Sequence, residues 1–482
     1  MAGQADTASS QQPLDIDRWR RAIREDTFSN YHYEMGIALR RQGETADAIA
    51  AFQRALAAKP NRAEASLALA EVLEETGRSE EARAVRHAAA ALDSDFELTG
   101  SLARIEDAAG REDVDLSPTV VATVERLAPQ LVRPLILAAR AFRNVGRHKQ
   151  ASAWCAKAVT LNPEEARRSE LEFVLVGKAG TVHNLADRLR ITVSAEADRH
   201  GAAFFLGQPS REAGLLTATV WLRVLRGRVM LSLAAKGERR PFVSVAVEPS
   251  ADVIPVDLPV LADADFRQID IYNVTYTPES SELEIHGVLV RTEPMPPIAS
   301  PADAVLLRRQ MLAANALQLA GQYGDAQRYI AAVPGDARLA AARNNLYLFG
   351  CTPSGSVEAT GDHLRLRGRD GGYVYVAAAE LGQPAHLPCT VIVTVFLRVL
   401  KGLGGVWVIA RTPGPQSKEN EQLSRVSVEP SKDVVAVELR VDATADFGQL
   451  ILLASGPAHK SAPPAEIELY GFLVELSPSS QP

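Results

Sequence analysis

Apolar residues recur every three or four positions along the first third of the chain, and every second position in short runs from about Leu189 onward. The first period belongs to helices and the second to strands. Within Ser29–Asn61, Met35, Gly36, Leu39, Gly43, Ala48, Phe52, Ala55 and Pro60 mark out two helices joined at a glycine turn. The small residues let antiparallel helices approach closely, the aromatic fills the groove between hairpins, and proline ends the second helix because it cannot donate to the ladder. The pattern returns 34 residues later as Ala70, Leu73, Gly77, Ala82 and Ala89, with Arg86 in the aromatic place. A third copy over Leu98–Gln130 is degenerate. A fourth reads Ala138, Ala139, Phe142, Gly146, Ala151, Cys155, Ala158 and Pro163.

These positions resemble the tetratricopeptide repeat, with His32 and Leu39 standing where the family pattern has tryptophan and tyrosine. The resemblance implies stacked helical hairpins forming a solenoid whose concave face binds a protein partner.

In the second half the runs ITVSAEA, LTATVWLRVL, VMLSLAA, FVSVAVEP, IDIYNV and ELEIHGVLV alternate apolar with polar residues between turn residues. That pattern predicts an antiparallel sandwich or jelly roll. The same order returns about 175 residues later: Leu206–Gly227 and Leu381–Gly402 are identical at 11 of 22 positions without a gap. Val247-Glu-Pro-Ser250 matches Val428-Glu-Pro-Ser431, Ala264-Asp-Phe266 matches Ala445-Asp-Phe447, and Glu284-Ile-His-Gly287 matches Glu468-Leu-Tyr-Gly471. Upstream, Gly146 and Ala151 match Gly321 and Ala326, so the duplicated unit is a helical hairpin plus a β module.

The expected architecture is therefore multidomain α + β. An N-terminal tetratricopeptide-like helical solenoid precedes two antiparallel β-sandwich, jelly-roll-like domains, each following a helical hairpin. The boundaries read as a disordered leader over 1–14, a helical array over 15–175, a first sandwich over 176–297, a hairpin over 298–350 and a second sandwich over 351–478. Glu293-Pro-Met-Pro-Pro297 reads as the linker between copies. The β modules resemble the jelly-roll, galactose-binding-like modules of carbohydrate-binding proteins, which implies a glycan as an alternative ligand.

Composition narrows the function more than the fold. With 46% hydrophobic and 23% charged residues and a net charge of -7, the chain lacks the basic surplus of a nucleic-acid binder. Cys155, Cys351 and Cys389 are scattered, without metal-ligand spacing, and fit buried thiols in a reducing compartment. The polar start has no signal-peptide core and no run is long enough to cross a membrane. A cytoplasmic location is expected.

Candidate chemistry gathers on one strand. Thr219, Trp221 and Arg223 point away from the aliphatic row Val220, Leu222 and Val224, and Thr394, Phe396 and Arg398 repeat this in the second copy. An aromatic beside an arginine could bind a sugar ring. The competing reading packs this face on the helical hairpin, with the arginine paired to Glu248 or Glu429. Glu248-Pro-Ser250 with Asp252 reads as turn chemistry, and Asp263, Asp265, Asp442 and Asp446 as solvated loop acids, Thr444 breaking the acid pair in the second copy. Gly402-Leu-Gly-Gly405 reads as a hairpin turn and His286 as a strand-surface residue. No catalytic constellation, metal site or cofactor motif is evident. The sequence points to a non-catalytic scaffold or adaptor, with a glycan-binding accessory protein as the alternative.

Overall fold

The computed structural model describes residues 16–92, 95–111, 114–195, 200–235, 241–273, 280–346, 349–351, 355–360, 362–368, 373–381, 389–410, 422–442, 447–455 and 465–478. The chain forms two compact units: Met1–Ala108 with Leu116–Pro134, and Ala109–Asp115 with Leu135–Pro482.

The first unit is helical. It holds α1 (Ile16–Arg41), α2 (Thr45–Ala58), α3 (Ala63–Glu75), α4 (Ser79–Leu92), most of α5 (Phe96–Gly110) and α6 (Pro118–Leu127). Gly43 and Gly77 take φ of 80° and 77° in the turns after α1 and α3, a left-handed backbone that favours glycine. Phe52 is fully buried among Tyr33, Ala48, Leu69 and Leu73. Its ring sits against Gly36, where an added Cβ would lie 2.6 Å from the Phe52 Cε1. The small-residue rule read from the sequence thus has a concrete cause. At α6, Ser117 accepts from the Thr119 amide and Pro118 opens the helix, where its missing N–H is no loss.

The second unit repeats one design. In the first copy α7 (Arg133–Asn144), α8 (His148–Leu161) and α9 (Pro163–Arg168) precede ten strands: β1 (Val174–Val176), β2 (Gly180–Asn184), β3 (Leu189–Val193), β4 (His200–Phe205), β5 (Leu215–Arg226), β6 (Val229–Ala235), β7 (Pro241–Val247), β8 (Ile254–Leu261), β9 (Phe266–Asn273) and β10 (Ser281–Glu293). The second copy has α10 (Ala304–Leu319), α11 (Tyr323–Ala331) and α12 (Arg338–Arg343), then β11 (Phe349–Cys351), β12 (Gly355–Ala359), β13 (Leu364–Gly368), β14 (Tyr373–Glu380), β15 (Cys389–Lys401), β16 (Leu403–Ala410), β17 (Gln422–Val428), β18 (Val435–Asp442), β19 (Phe447–Ser455) and β20 (Glu466–Pro478). Asn162 caps α9 and Asp303 caps α10, each accepting backbone N–H groups with its side chain.

Each sandwich stacks two antiparallel five-stranded sheets. The orders are β1-β4-β9-β6-β7 over β2-β3-β10-β5-β8, and β11-β14-β19-β16-β17 over β12-β13-β20-β15-β18, so every strand has a counterpart ten places on. The α + β architecture of helical hairpins and duplicated sandwiches is as the sequence predicts. Val220, Leu222 and Val224 are essentially inaccessible and face the sandwich core, as their alternation requires.

Three local expectations change. The turn at Gly402, with φ of 78°, is no hairpin: β15 and β16 lie in different sheets, and the glycine carries the chain across the sandwich, as Gly227 does between β5 and β6. The Glu293–Pro297 linker is tied down. The Pro296 carbonyl accepts from Tyr329 Oη at 2.9 Å, and Gln310 Nε2 donates to the carbonyls of Pro297 and Ala299, each at 2.8 Å. His286 is a half-buried neighbour of Glu284, 3.6 Å away, rather than a surface residue. No helix among the described residues is long and apolar enough to cross a membrane.

Candidate functional site

In the helical unit the first helices of successive hairpins share a face, and an ion ladder runs across it. Arg40 on α1 reaches Glu71 on α3 at 2.9 Å, and Arg104 on α5 holds the same carboxylate through both its terminal nitrogens. Arg40 also pairs with Glu75. Burial alone would raise the Glu71 carboxyl, but the guanidiniums of Arg104 and Arg40 hold it below the usual carboxylate range. Beside the ladder, the Arg62 guanidinium lies 4.7 Å from the ring centre of Tyr33, whose phenol burial pushes well above its ordinary value. Arg62 donates to Asn30 at 2.9 Å. Phe28 and Tyr31 are more than half exposed on α1, each edge-on to His32. Glu75 is also half exposed, so the ladder opens to solvent at that end.

In the β unit the four candidate residues sit around a duplicated buried glutamate. Arg223 donates to Glu284 at 2.5 Å, with Arg190 at 3.3 Å and Arg188 at 3.1 Å around the same carboxylate. In the second copy Arg398 and Arg365 donate to Glu468 at 2.8 and 3.1 Å, and Tyr470 donates at 3.0 Å. Glu284 and Glu468 are almost wholly inaccessible. Burial would raise both carboxyls; Arg223 and Arg188 hold the first, and Arg365 and Arg398 the second, below the usual range. The acids expected to pair these arginines, Glu248 and Glu429, are not the partners: Glu248 binds Arg228 at 2.8 Å.

Both aromatic candidates are half-buried. Arg167 of α9 lies 5.5 Å over the Trp221 ring, and Phe396 packs against the apolar cluster of α10, α11 and α12. Two glycines admit the helices here. A Cβ on Gly287 would meet Arg167 at 2.5 Å, and one on Gly471 would lie 2.0 Å from the Ala342 carbonyl oxygen. Glu284, Glu468, Arg190 and Arg365 escaped the sequence reading as site residues. Their signal was present, since both glutamates open a matched block, yet their cross-strand partners lie far away in the chain.

The remaining acids stand apart. Asp263 and Asp265 are exposed in the turn before β9, and Thr444 and Asp446 lie outside the described residues. Among the described residues no group of His, Cys, Asp and Glu could hold a metal ion. Cys155 is buried, its thiol pushed up to about 11 by burial.

Family models of the tetratricopeptide repeat match residues 33–95 and 132–165, so the chain carries such repeats in both places. No curated protein matches by sequence. Among solved structures, the family 29 carbohydrate binding module CBM29_1 from Piromyces equi is similar at 16% identity, over 26% of this chain and 79% of that one, with a TM-score of 0.21. The CBM22-1-CBM22-2 tandem domain of Paenibacillus barcinonensis Xyn10C is similar at 8% identity, over 64% and 94%, with a TM-score of 0.23. The MamA protein is similar at 19% identity, over 30% and 78%, with a TM-score of 0.16. Likenesses this slight say nothing of what the chain binds.

Proposed function

We propose that the chain is a non-catalytic scaffold whose tetratricopeptide hairpins hold a segment of a partner protein, while the β modules serve a second partner or self-assembly. The observation that carries this reading is the ladder Arg40–Glu71–Arg104 on the shared face of α1, α3 and α5, open to solvent at half-exposed Glu75. Repeating helices that present a row of fixed charges on one face suit an extended segment better than a small substrate. The perturbed carboxylates support a non-catalytic role. Glu71, Glu170, Glu284 and Glu468 are each held ionised by arginines, which removes them from proton transfer near neutral pH.

A glycan platform at Trp221, Arg223, Phe396 and Arg398 has less behind it. Arg167 covers one ring, the helices take the other, and both arginines are engaged by buried glutamates. The test is affinity capture by the full chain, comparing wild type with an Arg40→Ala, Glu75→Lys variant. A partner held by the wild type and lost by the variant supports the helical face. A partner held equally by both sinks it.

A further inference from the structure

The edge strands β8 and β18 occupy the same place in the two sandwiches, each closing its sheet against the strand that carries the candidate residues. β8 pairs with β5 through Trp221↔Pro255, Thr219↔Asp257 and Thr217↔Pro259. β18 pairs with β15 through Phe396↔Ala436, Thr394↔Glu438 and Ile392↔Arg440. Pro255 and Pro259 therefore correspond to Ala436 and Arg440.

Proline has no N–H and is admitted to an edge strand only where that N–H would point away from the sheet. Residues 255, 257 and 259 thus face the free edge, and two of the three cannot donate to a further strand. Helix α10 also lies against β8, where Arg308 pairs with Asp257. The prolines interrupt the first module's edge, and α10 covers the outer face of its edge strand. In the second module the outward-bonding residues are Ala436, Glu438 and Arg440, all of which donate, and no helix among the described residues takes α10's place over β18. An eight-residue strand with a full outward row of donors and acceptors is a template for pairing.

The side chains choose the occupant. Val437, Leu439 and Val441 face the sandwich core, while Glu438 and Arg440 are exposed on the other face. We propose that β18 pairs antiparallel with β18 of a second copy of this chain, across a two-fold axis at Leu439. That register sets Glu438 opposite the second copy's Arg440 and Arg440 opposite its Glu438, two opposite-charge cross-strand pairs from one sequence. On the inner face Leu439 meets its own counterpart and Val437 meets Val441, so the apolar layer runs on through the joint. This deepens the self-assembly part of the scaffold reading and rests on it.

Sedimentation of the full chain over a concentration series tests the pairing. The wild type is expected to run as a dimer that dissociates on dilution. Ala436→Pro with Arg440→Pro copies the first module's own edge, which keeps the fold plausible, and is expected to give monomer. Glu438→Arg weakens the dimer about tenfold by facing arginine with arginine. Adding Arg440→Glu restores complementarity and the dimer. Circular dichroism melts confirm that each variant folds. A wild type that stays monomeric at every concentration, including one whose edge takes up only a foreign peptide, overturns the proposal, as does a dimer indifferent to the two prolines. Partner capture by the helical unit is read on the same preparations. A monomer that still captures its partner sinks the strand pairing and leaves the scaffold reading standing.

Discussion

Arg143 and Glu170 form an ion pair of 2.6 Å in which both side chains are almost wholly buried. Arg140 joins the same carboxylate at 3.0 Å and stacks 4.2 Å over Phe173. Arg143 also donates to the Leu206 carbonyl, so the triad fastens α7 to the end of β4. In the second copy the matching positions are Asn315, Gln318 and Asn345, which carry no charge and reach a different strand, β20. Asn315 donates to Asn345 at 2.8 Å, Asn345 to the Phe472 carbonyl at 2.8 Å, and Gln318 to the Val474 carbonyl at 2.7 Å. The same three positions thus hold an ionic anchor to the end of β4 in one copy and an amide anchor to β20 in the other.

A buried pair is costly to break and often cheap to replace whole. Glu170→Ala leaves two buried guanidiniums facing each other and is expected to cost about 3–5 kcal/mol in chemical denaturation. Arg140→Asn, Arg143→Gln and Glu170→Asn together, which transplant the second copy's solution, are expected to recover most of that loss. If the triple variant is as unstable as Glu170→Ala, the amides cannot form the second copy's network in the first.

Acid should act unevenly on the two copies. His148 Nε2 lies 2.7 Å from the Gln208 carbonyl, which can only accept, so that nitrogen carries the proton and Nδ1 accepts from the Thr292 hydroxyl at 2.8 Å. Burial, with the Arg143 guanidinium nearby, lowers the imidazole's affinity for a second proton. The folded value lies below the unfolded value of about 6.5, so this stability is fully present above that pH and is lost as pH falls from there through the folded value. Tyr323 holds the equivalent place, donating to the Leu381 carbonyl, with its phenol pushed far above neutrality by burial. His148→Tyr is expected to flatten the fall in melting temperature between about pH 7 and pH 5. An unchanged slope would assign the acid sensitivity elsewhere.

The glycines under α9 and α12 differ in what they protect. Gly471 has φ of 128° and lies against backbone, so Gly471→Ala combines left-handed strain with a collision at the Ala342 carbonyl. A loss of about 1–3 kcal/mol is expected. Gly287 meets the Cβ and Cγ of Arg167, the stem of that side chain, but its backbone is not left-handed, so Gly287→Ala should cost less while displacing Arg167 from Trp221. Tryptophan fluorescence reports that displacement, and a larger loss at Gly287 than at Gly471 would contradict this ranking.

Much of this fold was legible because its signals are local. Turn glycines such as Gly43 and Gly146, the 34-residue spacing and the shared Leu-Arg-Val-Leu strand are all short-range features. The candidate site was only half legible. The alternation on β5 correctly sends Val220, Leu222 and Val224 inward and Arg223 outward, but Arg223 finds its acid 61 residues away on β10, where no spacing rule points. Glu248 was the nearer candidate, and a different cross-strand neighbour, Arg228, holds it. The glycine at 402 misled for a related reason. A left-handed turn between two strands says nothing about whether they pair or part into opposite sheets.

Gly36 and Phe52 carry a final expectation, because here the repeat pattern and the packing state the same constraint. Phe52→Ala removes a fully buried ring from the helical unit and is expected to cost about 3–5 kcal/mol. Gly36→Ala adds a methyl where the Phe52 ring already stands, so it is expected to destabilise on its own. The two effects should not add. In a Phe52→Leu background the added methyl has room, and the cost of Gly36→Ala should fall by more than half. A double-mutant cycle by urea denaturation measures that coupling. An additive result would mean that the glycine is needed for helix approach through some contact other than this ring.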